Sequence, residues 1–415
     1  MGSDRPIFRV VALPEGQESS PVDLSDLVLS FEFEDHETKA DKLSLKVNNW
    51  DLAQFDSPTW KKGTILEFTW GYPGRLAPIR RAIVQKIRGG RSLTIEAHAL
   101  SMIMHKIKRS RVFENMTMAE IARKIAGEYG SVFGSGAAGT TGENIKVDSA
   151  LDKKVGHRVQ ASETDASFLS RLARRHGLQF YVDSAGLHFK ERNLRQAPVR
   201  SYTWFNGDGI EAEFLDFEIE NDVTARAGAI TKRGFDPLSK KKIEHKADNN
   251  SAERPGLMPV VEIIDPATGA LVLQKRAAEE HVEHSPEPTA AGLKSHAQGE
   301  FRLTQHTTVK LTFTCVGDPD VLAKRVVEFN GIGKRLSGRY YTKEVTHTID
   351  GSGGYVIKGK AITDGHGGYG NNNAKSKAAL NKKDPTDKLE AIDVIDPTTG
   401  AVTQSFRKKG EEGKT

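Results

Sequence analysis

The amino-acid sequence predicts an α+β fold that is mainly β: two small antiparallel β-barrel (tube-like) domains, an α+β segment between them and a flexible C-terminal tail. Apolar residues alternate with polar ones in the first hundred residues and again after residue 198, the period of half-buried strands. Helical spacing is concentrated between these regions, and residues after 363 are poor in core-forming side chains. The predicted boundaries are 1–105 for the first barrel, 106–197 for the α+β segment, 198–363 for the second barrel and 364–415 for the tail.

Length and composition are those of a globular protein. The 415 residues are 37% hydrophobic and 28% charged, which excludes wholesale disorder and allows roughly two to four domains. No apolar run approaches the ~20 residues needed to span a bilayer, and the N-terminus lacks the apolar segment of a signal peptide. We therefore expect a protein kept in a cytoplasm-like compartment, or exported by a route that needs no signal.

The net charge and the cysteine content narrow the possible functions. A formal charge of +5 is small for this length, and no compact basic patch interleaved with aromatic residues marks a nucleic-acid-binding surface. The single cysteine, Cys315, excludes an internal disulfide. Its place in the strand-like run 309–316 favours a buried strand residue over a reactive nucleophile.

The first region contains five or more short strand-like segments, separated by turn residues such as Gly71-Tyr-Pro-Gly74 and Arg88-Gly-Gly-Arg91. Short antiparallel strands with one apolar face most economically form a small barrel or sandwich. The alternating positions include Leu27, Leu29, Phe31 and Phe33; Leu43, Leu45 and Val47; Leu66, Phe68 and Trp70; and Leu93, Ile95 and Ala97.

The α+β segment begins with a predicted helix over 118–129, capped by Thr117. The loop 130–142 that follows contains a G-x-G-x-x-G pattern at 134–139. A dinucleotide-binding fingerprint requires this pattern between a strand and a helix. Because it follows a helix here, we interpret it as a flexible loop rather than a cofactor site.

A second helix followed by a hairpin is predicted between Ser162 and Lys190. Ser162 and Thr164 are both candidate N-caps, and Asp165 lies in the first turn, where the helix dipole favours negative charge. Gly177 stands where a left-handed C-cap belongs. The apolar stripe between them consists of Phe168, Leu169, Leu172 and Ala173.

After residue 198 the strand pattern returns, and it predicts a second barrel. One connection, 277–305, is predicted to be mostly helical, broken at Ser285-Pro-Glu-Pro288. The predicted strands are 199–204, 210–219, 223–235, 260–264, 309–316, 325–329, 338–348 and 355–362.

One short sequence of this region is nearly repeated in the tail. Residues 261–271, Val-Glu-Ile-Ile-Asp-Pro-Ala-Thr-Gly-Ala-Leu, resemble residues 392–402, Ile-Asp-Val-Ile-Asp-Pro-Thr-Thr-Gly-Ala-Val. Each is a short strand that runs into a turn, which predicts the start of a β-hairpin. One interpretation is a turn sequence used twice, and the other is a tail hairpin that pairs with the sheet edge of a partner.

A search for catalytic or cofactor chemistry gives no supported site. His281 and His284 are three apart on a predicted helix and could share one face, but no further ligands stand at recognisable spacing, so surface histidines are favoured. The sequence contains no G-x-S-x-G elbow and no P-loop. We therefore predict no catalytic residues, no cofactor and no metal.

The sequence of residues 162–177 resembles a motif of the phage late control protein D family. It is Ser-Glu-Thr-Asp-Ala-Ser-Phe-Leu-Ser-Arg-Leu-Ala-Arg-Arg-His-Gly. These are the baseplate hub proteins of contractile phage tails, similar to the hub portion of type VI secretion spike proteins. The resemblance extends over residues 5–363, and its closing run, from Gly317-Asp-Pro319 to Gly353-Gly-Tyr355, is the strongest match. The family-motif positions, taken as structural, are Thr164, Asp165, Phe168, Arg171, Leu172, Gly177, Gly317, Asp318, Pro319, Gly331, Gly333, Ser337, Gly338, Tyr340 and Tyr341.

The resemblance implies a homotrimer whose two barrels per chain form a ring of six. Such a ring joins the sixfold tail tube to a threefold central spike. Because no spike-like domain follows residue 363, the spike would be a separate chain, and the tail could reach it. The implied partners are the tube or tube-initiator protein, the spike and other baseplate proteins, in a virion tail or injection particle assembled in the bacterial cytoplasm. Membrane insertion and sequence-specific nucleic-acid binding are not expected.

Two other classes of function stay open at this stage. A cell-wall polysaccharide hydrolase on a β scaffold would require a spatial pair of carboxylates, which the sequence alone does not reveal. A nucleic-acid-binding barrel would require aromatic residues on the surface among basic ones, and binding that falls with salt.

Overall fold

The computed structural model of the chain describes most of residues 5–365 and two strands of the C-terminal tail. Residues 1–367 form one compact unit and residues 368–415 form another. The G-x-G-x-x-G pattern at 134–139 lies outside the described residues. The described residues are 5–13, 21–61, 63–129, 155–183, 186–204, 213–221, 228–248, 251, 257, 262–264, 271–273, 280–306, 309–333, 336–351, 354–365, 389–395 and 402–408.

The elements follow the predicted order of strands, helices and strands. The first region contains β1 (Ile7–Leu13), β2 (Val22–Asp23), β3 (Val28–His36), β4 (Lys42–Asn48), β5 (Ile65–Tyr72), β6 (Arg75–Leu76), β7 (Arg80–Gly89) and β8 (Ser92–Ala99). The α+β segment contains β9 (Lys108–Met116), α1 (Met118–Gly127), β10 (Val155–Thr164), α2 (Asp165–Arg175), β11 (Leu178–Asp183) and β12 (Gly186–Glu191). Short 3-10 helices span Ser25–Leu27, Ala53–Phe55, Pro58–Trp60 and Leu100–His105.

The second β region and the tail complete the chain. The second region contains β13 (Ser201–Thr203), β14 (Phe214–Asn221), β15 (Ala229–Asp236), β16 (Lys241–Asp248), β17 (Glu262–Ile264), β18 (Leu271–Leu273), β19 (Glu280–His284), α3 (Ala290–His306), β20 (Val309–Val316), β21 (Val326–Asn330), β22 (Gly338–Asp350) and β23 (Tyr355–Thr363). The tail contains β24 (Leu389–Ile395) and β25 (Val402–Lys408).

One 14-stranded sheet contains strands of both β regions. Its main path runs β14-β20-β23-β22-β3-β4-β8-β7-β5-β1-β2, and β22 and β3 pair antiparallel where the two regions meet. In that pair Phe31 lies opposite Ile349 and Asp35 lies opposite Val345. The α+β and mainly β class is therefore confirmed.

The barrels take a different form from the one predicted. In the part of the chain that the structure describes, no closed barrel forms, and the strands assigned to two barrels share one sheet. The long strand β22 explains the difference, because it pairs with β23 on one side and with β3 on the other. An edge paired in this way is covered, which removes the need for each region to close on itself.

The main core is also continuous across the two regions. Trp70 of β5 is fully buried, and its indole Nε1 donates to the hydroxyl of Tyr355 at 3.1 Å. The same hydroxyl lies 2.8 Å from Nδ1 of the buried His347. Burial without such partners would cost each polar group roughly 1–3 kcal/mol. The two regions are therefore joined by packing and by polar contacts.

The helical predictions hold for α1 and α2 and fail for part of the third helix. Thr117 caps α1 with a capping box, in which its Oγ1 accepts the Glu120 N–H and the Glu120 carboxylate accepts the Thr117 N–H. The predicted helix 277–305 forms only from residue 290, because residues 280–284 form β19, parallel to β15. Pairing with a neighbouring strand outweighs local helix propensity there.

This change also bears on His281 and His284, which were expected to be surface histidines. His281 and His284 lie on the exposed strand β19 rather than on a helix. Residues three apart in a strand point to opposite faces, so the two side chains do not share one. Both histidines are exposed, as the favoured interpretation predicted, and the shared helical face does not form.

Both copies of the near-repeat form hairpin strands, as predicted. Ile264 of β17 pairs with Leu271 of β18, and Ile395 of β24 pairs with Val402 of β25. The six intervening residues lie outside the described residues in both cases. The described part of the tail therefore consists of this hairpin's two strands.

Candidate functional site

Helix α2, which carries part of the family motif, begins at one of the two predicted N-caps. Thr164 is the N-cap of α2, and its Oγ1 accepts the Ser167 N–H at 3.2 Å. The other candidate, Ser162, lies in β10 with a φ of 50°, and its N–H donates to Ser110 Oγ. Ser162 marks an irregularity in the β9–β10 pairing and does not cap the helix.

Asp165 has a role that the sequence did not reveal. Its side chain is fully buried, and it accepts hydrogen bonds from Tyr129 Oη at 2.7 Å, from Gln160 Nε2 at 2.8 Å and from the Arg111 guanidinium. Arg109 lies 3.6 Å away. The carboxylate thus ties α2 to β9, β10 and the end of α1, rather than only facing the helix dipole.

Of the other motif positions in α2, two lie in the hydrophobic core and one lies partly exposed beside β10. Phe168 and Leu172 are buried in the core of the α+β segment, where Phe168 stacks on Phe113 at 5.3 Å between ring centroids. Arg171 is half-exposed, pairs with Glu163 and donates to the carbonyl of Val159 at 3.1 Å. It therefore satisfies part of the open edge of β10.

Gly177 ends the helix and touches α3. Its φ of 68° is left-handed, as predicted. A Cβ at this position would lie 2.7 Å from the Cα of Gly299. The C-terminus of α2 and the middle of α3 therefore approach at backbone distance, which two glycines make possible.

A buried ion cluster lies beside this crossing. Glu287, fully buried, accepts from Arg158 Nη2 at 2.7 Å and lies 3.4 Å from Arg175 Nη1 and 3.5 Å from His176 Nε2. Burial raises the pKa of Glu287, but the neighbouring His176 and Arg158 outweigh this effect and hold it below its usual range. Burial lowers the pKa of His176. The cluster ties β10 and α2 to the segment before α3.

The closing run docks onto the first β region. A Cβ on Gly317 would lie 2.1 Å from the ring of Tyr355, so only glycine fits there. The Asp318 carboxylate accepts from Arg75 Nη2 at 2.9 and 3.0 Å. Pro319 lies against Gly71, whose added Cβ would be 3.2 Å from the proline Cβ. These three positions join the turn after β20 to the β5–β6 turn.

Four motif positions, three glycines and a serine, lie between the end of β21 and the first residue of β22. Gly331, Gly333 and Gly338 have φ values of 78°, 93° and 145°, which favour glycine. Ser337 Oγ donates to the carbonyl of Gly333 at 2.8 Å. A Cβ on Gly331 would lie 2.3 Å from the carbonyl oxygen of Trp204, so this loop packs directly on the end of β13.

Tyr341 belongs to a polar junction of all three regions. Its hydroxyl accepts from Gln179 Nε2, which also donates to Glu37 Oε1 at 2.7 Å. Arg192 Nε donates to the same Glu37 oxygen at 2.6 Å. Burial raises the pKa of Glu37, but the charge of Arg192 outweighs it and the net shift is downward. The neighbouring Tyr340 donates to the carbonyl of Leu336 at 2.6 Å.

A second polar junction surrounds Asp35, directly beside the β3–β22 pair. The buried Asp35 pairs with Lys324, and Arg80 Nη2 lies 3.7 Å away. Lys324 also donates to the carbonyl of His36 at 2.7 Å. Asp41 is nearby, and its Oδ1 accepts the His36 N–H at 3.0 Å. Both β regions thus contribute charge to one buried network.

Asp41 makes the stability of this junction dependent on pH. Burial, together with the charge of Asp35, raises the pKa of Asp41 to about 7, well above its ordinary value of 3.8. Folding therefore binds a proton between these values, and the stabilisation present at low pH is lost as pH rises through about 7. We expect the Asp41→Asn variant to be less sensitive than the parent to a rise from about pH 5 to about pH 9.

Denaturant midpoints of the two proteins across this pH range check the prediction. Asparagine keeps an oxygen that can accept the His36 N–H, so the fold need not change. An equal fall of the midpoint in both proteins would contradict the role given to Asp41.

The buried carboxylates connect parts of the chain. Asp35, Glu37, Asp165, Glu287 and Asp318 each pair with lysine or arginine. Cys315 is buried in β20, as predicted, and burial raises the pKa of its thiol. Within the described ranges, no three His, Cys, Asp or Glu side chains are grouped to hold a metal ion. None of the described helices has the length and apolarity to cross a bilayer.

The sequence model of one protein family, described as the Alg8 N-terminal domain, matches residues 46–351, well over half of the chain. The chain belongs to this family. The span matched to the Alg8 N-terminal domain begins in β4 and ends just after β22, so it includes helix α2, whereas Glu37 and Asp35 of the two polar junctions come before it. No curated protein matches the chain.

Solved structures identify the fold. The tail protein from Neisseria meningitidis MC58 matches with a TM-score of 0.59 and 15% identity, over 86% of this chain and 97% of that one. The prophage MuSo2 43 kDa tail protein from Shewanella oneidensis matches with a TM-score of 0.56 and 13% identity, over 86% and 98%. This member of the Alg8 N-terminal domain family therefore has the fold of phage tail proteins, in agreement with the predicted resemblance.

A third solved structure extends the comparison to secretion systems. The E. coli c3393 protein matches with a TM-score of 0.50 and 11% identity, over 81% of this chain and 73% of that one. It is described as a component of the type VI secretion system with structural similarity to the T4 bacteriophage tail proteins gp27 and gp5.

Proposed function

We propose that the chain is a structural baseplate hub of a contractile phage tail or a related contractile injection system. In this role three copies form a ring that joins the sixfold tail tube to a separate threefold spike. The observation that carries the proposal is the fold shared with two tail proteins over 97% and 98% of their chains. The family description names a domain and no reaction, so the fold is the stronger guide to function.

The contacts that join the three regions support a structural role, in which the chain holds its parts in a fixed arrangement. The two β regions share a sheet and a core, and buried ion pairs lock the α+β segment to both. Buried charges of this kind do not have to increase stability, but breaking one is costly, so they specify a single arrangement of the parts. A hub that transmits force between a tube and a spike requires such a fixed arrangement.

An exposed apolar loop supports assembly with neighbouring protomers. Trp50, Leu52 and Phe55 are 70%, 51% and 53% exposed on the loop after β4. The loop is held in place by the buried Asn49, whose Nδ2 donates to the carbonyl of Gly90 at 2.8 Å and whose Oδ1 accepts the Gln54 N–H at 2.9 Å. A fixed cluster of exposed large apolar side chains is typical of an interaction surface.

The proposed partners are the tube or tube-initiator protein, the spike and other baseplate proteins, in a virion tail or injection particle assembled in the bacterial cytoplasm. We propose no catalytic role, no sequence-specific binding of nucleic acid and no membrane insertion. Asp35 and Glu37 support this assignment, because their lysine and arginine partners leave these two carboxylates poorly suited to the acid–base work of a polysaccharide hydrolase.

Co-expression with the tube and spike proteins encoded beside the chain tests the proposal. Purification through a tag on the spike should recover this chain, and electron microscopy should reveal a threefold hub below a sixfold ring. The Trp50→Ser, Phe55→Ser double variant should fold normally and assemble poorly. Recovery of the spike without this chain, or peptidoglycan hydrolysis by the purified chain, would contradict the proposal.

A further inference from the structure

The near-repeated hairpins are the feature of the chain that the hub fold leaves unexplained. Their sequences agree at Ile264 and Ile395, Asp265 and Asp396, Pro266 and Pro397, Thr268 and Thr399, Gly269 and Gly400, and Ala270 and Ala401. Their strands also have one register, since the isoleucine before each Asp-Pro pairs with the apolar residue after each Gly-Ala. Sequence and backbone pairing independently mark them as two copies of one element.

Each copy is incomplete as a sheet. β17–β18 and β24–β25 are both two-stranded sheets, and no third strand pairs with either of them among the residues that the structure describes. A two-stranded hairpin alone is marginally stable in water, because one side of each strand lacks backbone partners. Among the described residues, each hairpin therefore has strand edges with which a further strand could pair.

We propose that the tail hairpin of one protomer pairs edge to edge with the internal hairpin of a neighbouring copy of this chain. This proposal rests on the trimeric hub described above. Three such contacts, each between different surfaces of two copies, close a ring when related by a threefold axis. The tails would then fasten the protomers to one another, in addition to any contact between their bodies.

The chain geometry fits this exchange. Leu257 lies shortly before β17, and its N–H donates to Asp364 Oδ2 at 3.3 Å, where the chain leaves β23 for the tail. Leu257, shortly before the internal hairpin, and Asp364, shortly before the tail, are therefore neighbours on the body.

Charge selects the direction of pairing. The first strands are the more similar pair, and in a parallel register with equivalent residues aligned Glu262 would stand opposite Asp393. Like charges directly opposite one another are destabilising. An antiparallel pairing of β17 with β24, centred on Ile263 opposite Val394, separates the two acids. The proposal therefore specifies which residues meet.

Cysteine crosslinking of the full-length chain tests this register. The only native cysteine, Cys315, is buried and should not form a crosslink. In the Ile263→Cys, Val394→Cys variant, mild oxidation should form covalent dimers and trimers on a non-reducing gel. The matched control is Ile263→Cys with Thr403→Cys, because Thr403 lies directly across the tail hairpin from Val394. It should crosslink several-fold less.

Three outcomes would overturn the pairing: equal crosslinking in the control, a crosslink within one chain only, or no crosslink. Light scattering of the reduced protein separates this failure from failure of the hub proposal. A trimer that does not crosslink refutes the hairpin exchange alone, whereas a single-chain mass with its spike present refutes both.

Proline substitutions give a second, independent measurement. Ile263→Pro and Val394→Pro each remove a backbone donor from the centre of one strand. If the two strands pair with each other, the double variant should raise the trimer dissociation constant no more than either single variant does. Additive losses would contradict a shared contact.

Discussion

Replacing Glu287 with alanine is expected to destabilise the protein severely. The carboxylate is fully buried and pairs with Arg158, itself only 8% exposed, while Arg175 and His176 lie within 3.5 Å. Its removal leaves buried guanidinium groups without a counter-charge, an effect that typically costs about 3–5 kcal/mol. The loss of stability should appear first where β10, α2 and the segment before α3 meet.

The measurement is a denaturant midpoint together with hydrogen exchange of α2. Glu67→Ala is the matched control, because Glu67 pairs with Arg81, which is 50% exposed. A surface pair of this kind contributes about 0–1 kcal/mol, so the control should remain close to the parent. Equal midpoints for the two variants would contradict the structural role of the buried cluster.

Replacing Gly299 with alanine should separate α2 from α3. A Cβ at this position would lie 2.4 Å from the carbonyl carbon of His176 and 2.6 Å from the Gly177 nitrogen. Both atoms are backbone, so neither can rotate away, and the helices must move apart. Overpacking typically costs about 1–3 kcal/mol and sometimes more. We expect a clear fall in the unfolding midpoint and faster exchange at the C-terminus of α2.

Gly127→Ala provides the matched control for this prediction. Gly127 is also helical, at the end of α1, and a Cβ there would meet nothing within 4 Å. Alanine in a helix is favoured over glycine by roughly 0.5–1 kcal/mol, so this variant should be neutral or slightly more stable. A destabilised Gly127→Ala beside a normal Gly299→Ala would overturn the proposed crossing.

Local signals in the sequence were sufficient to predict the class of the fold and both helix starts. The caps at Thr117 and Thr164 and the left-handed Gly177 depend on neighbouring backbone, so a short stretch of sequence contains the information. The starts of the two hairpins were similarly accessible from the repeated turn sequence. These elements need no knowledge of the remainder of the chain.

The long-range features were not predictable in the same way. The shared sheet depends on pairing between β3 and β22, which are far apart in the sequence, and nothing local distinguishes a paired edge from a closed barrel. Asp165 satisfied a simple helix-dipole expectation, yet its buried partners come from three other elements. Residues 280–284 became a strand because β15 offered an edge.

The most direct test of the hub proposal is the mass of the particle in solution. Light scattering should be performed on the purified chain alone and after co-expression with the spike protein. The proposal predicts three copies of the 45.6 kDa chain, either alone or when the spike is present. A mass corresponding to one chain under both conditions would contradict it, because a single copy cannot form the ring that joins a tube to a spike.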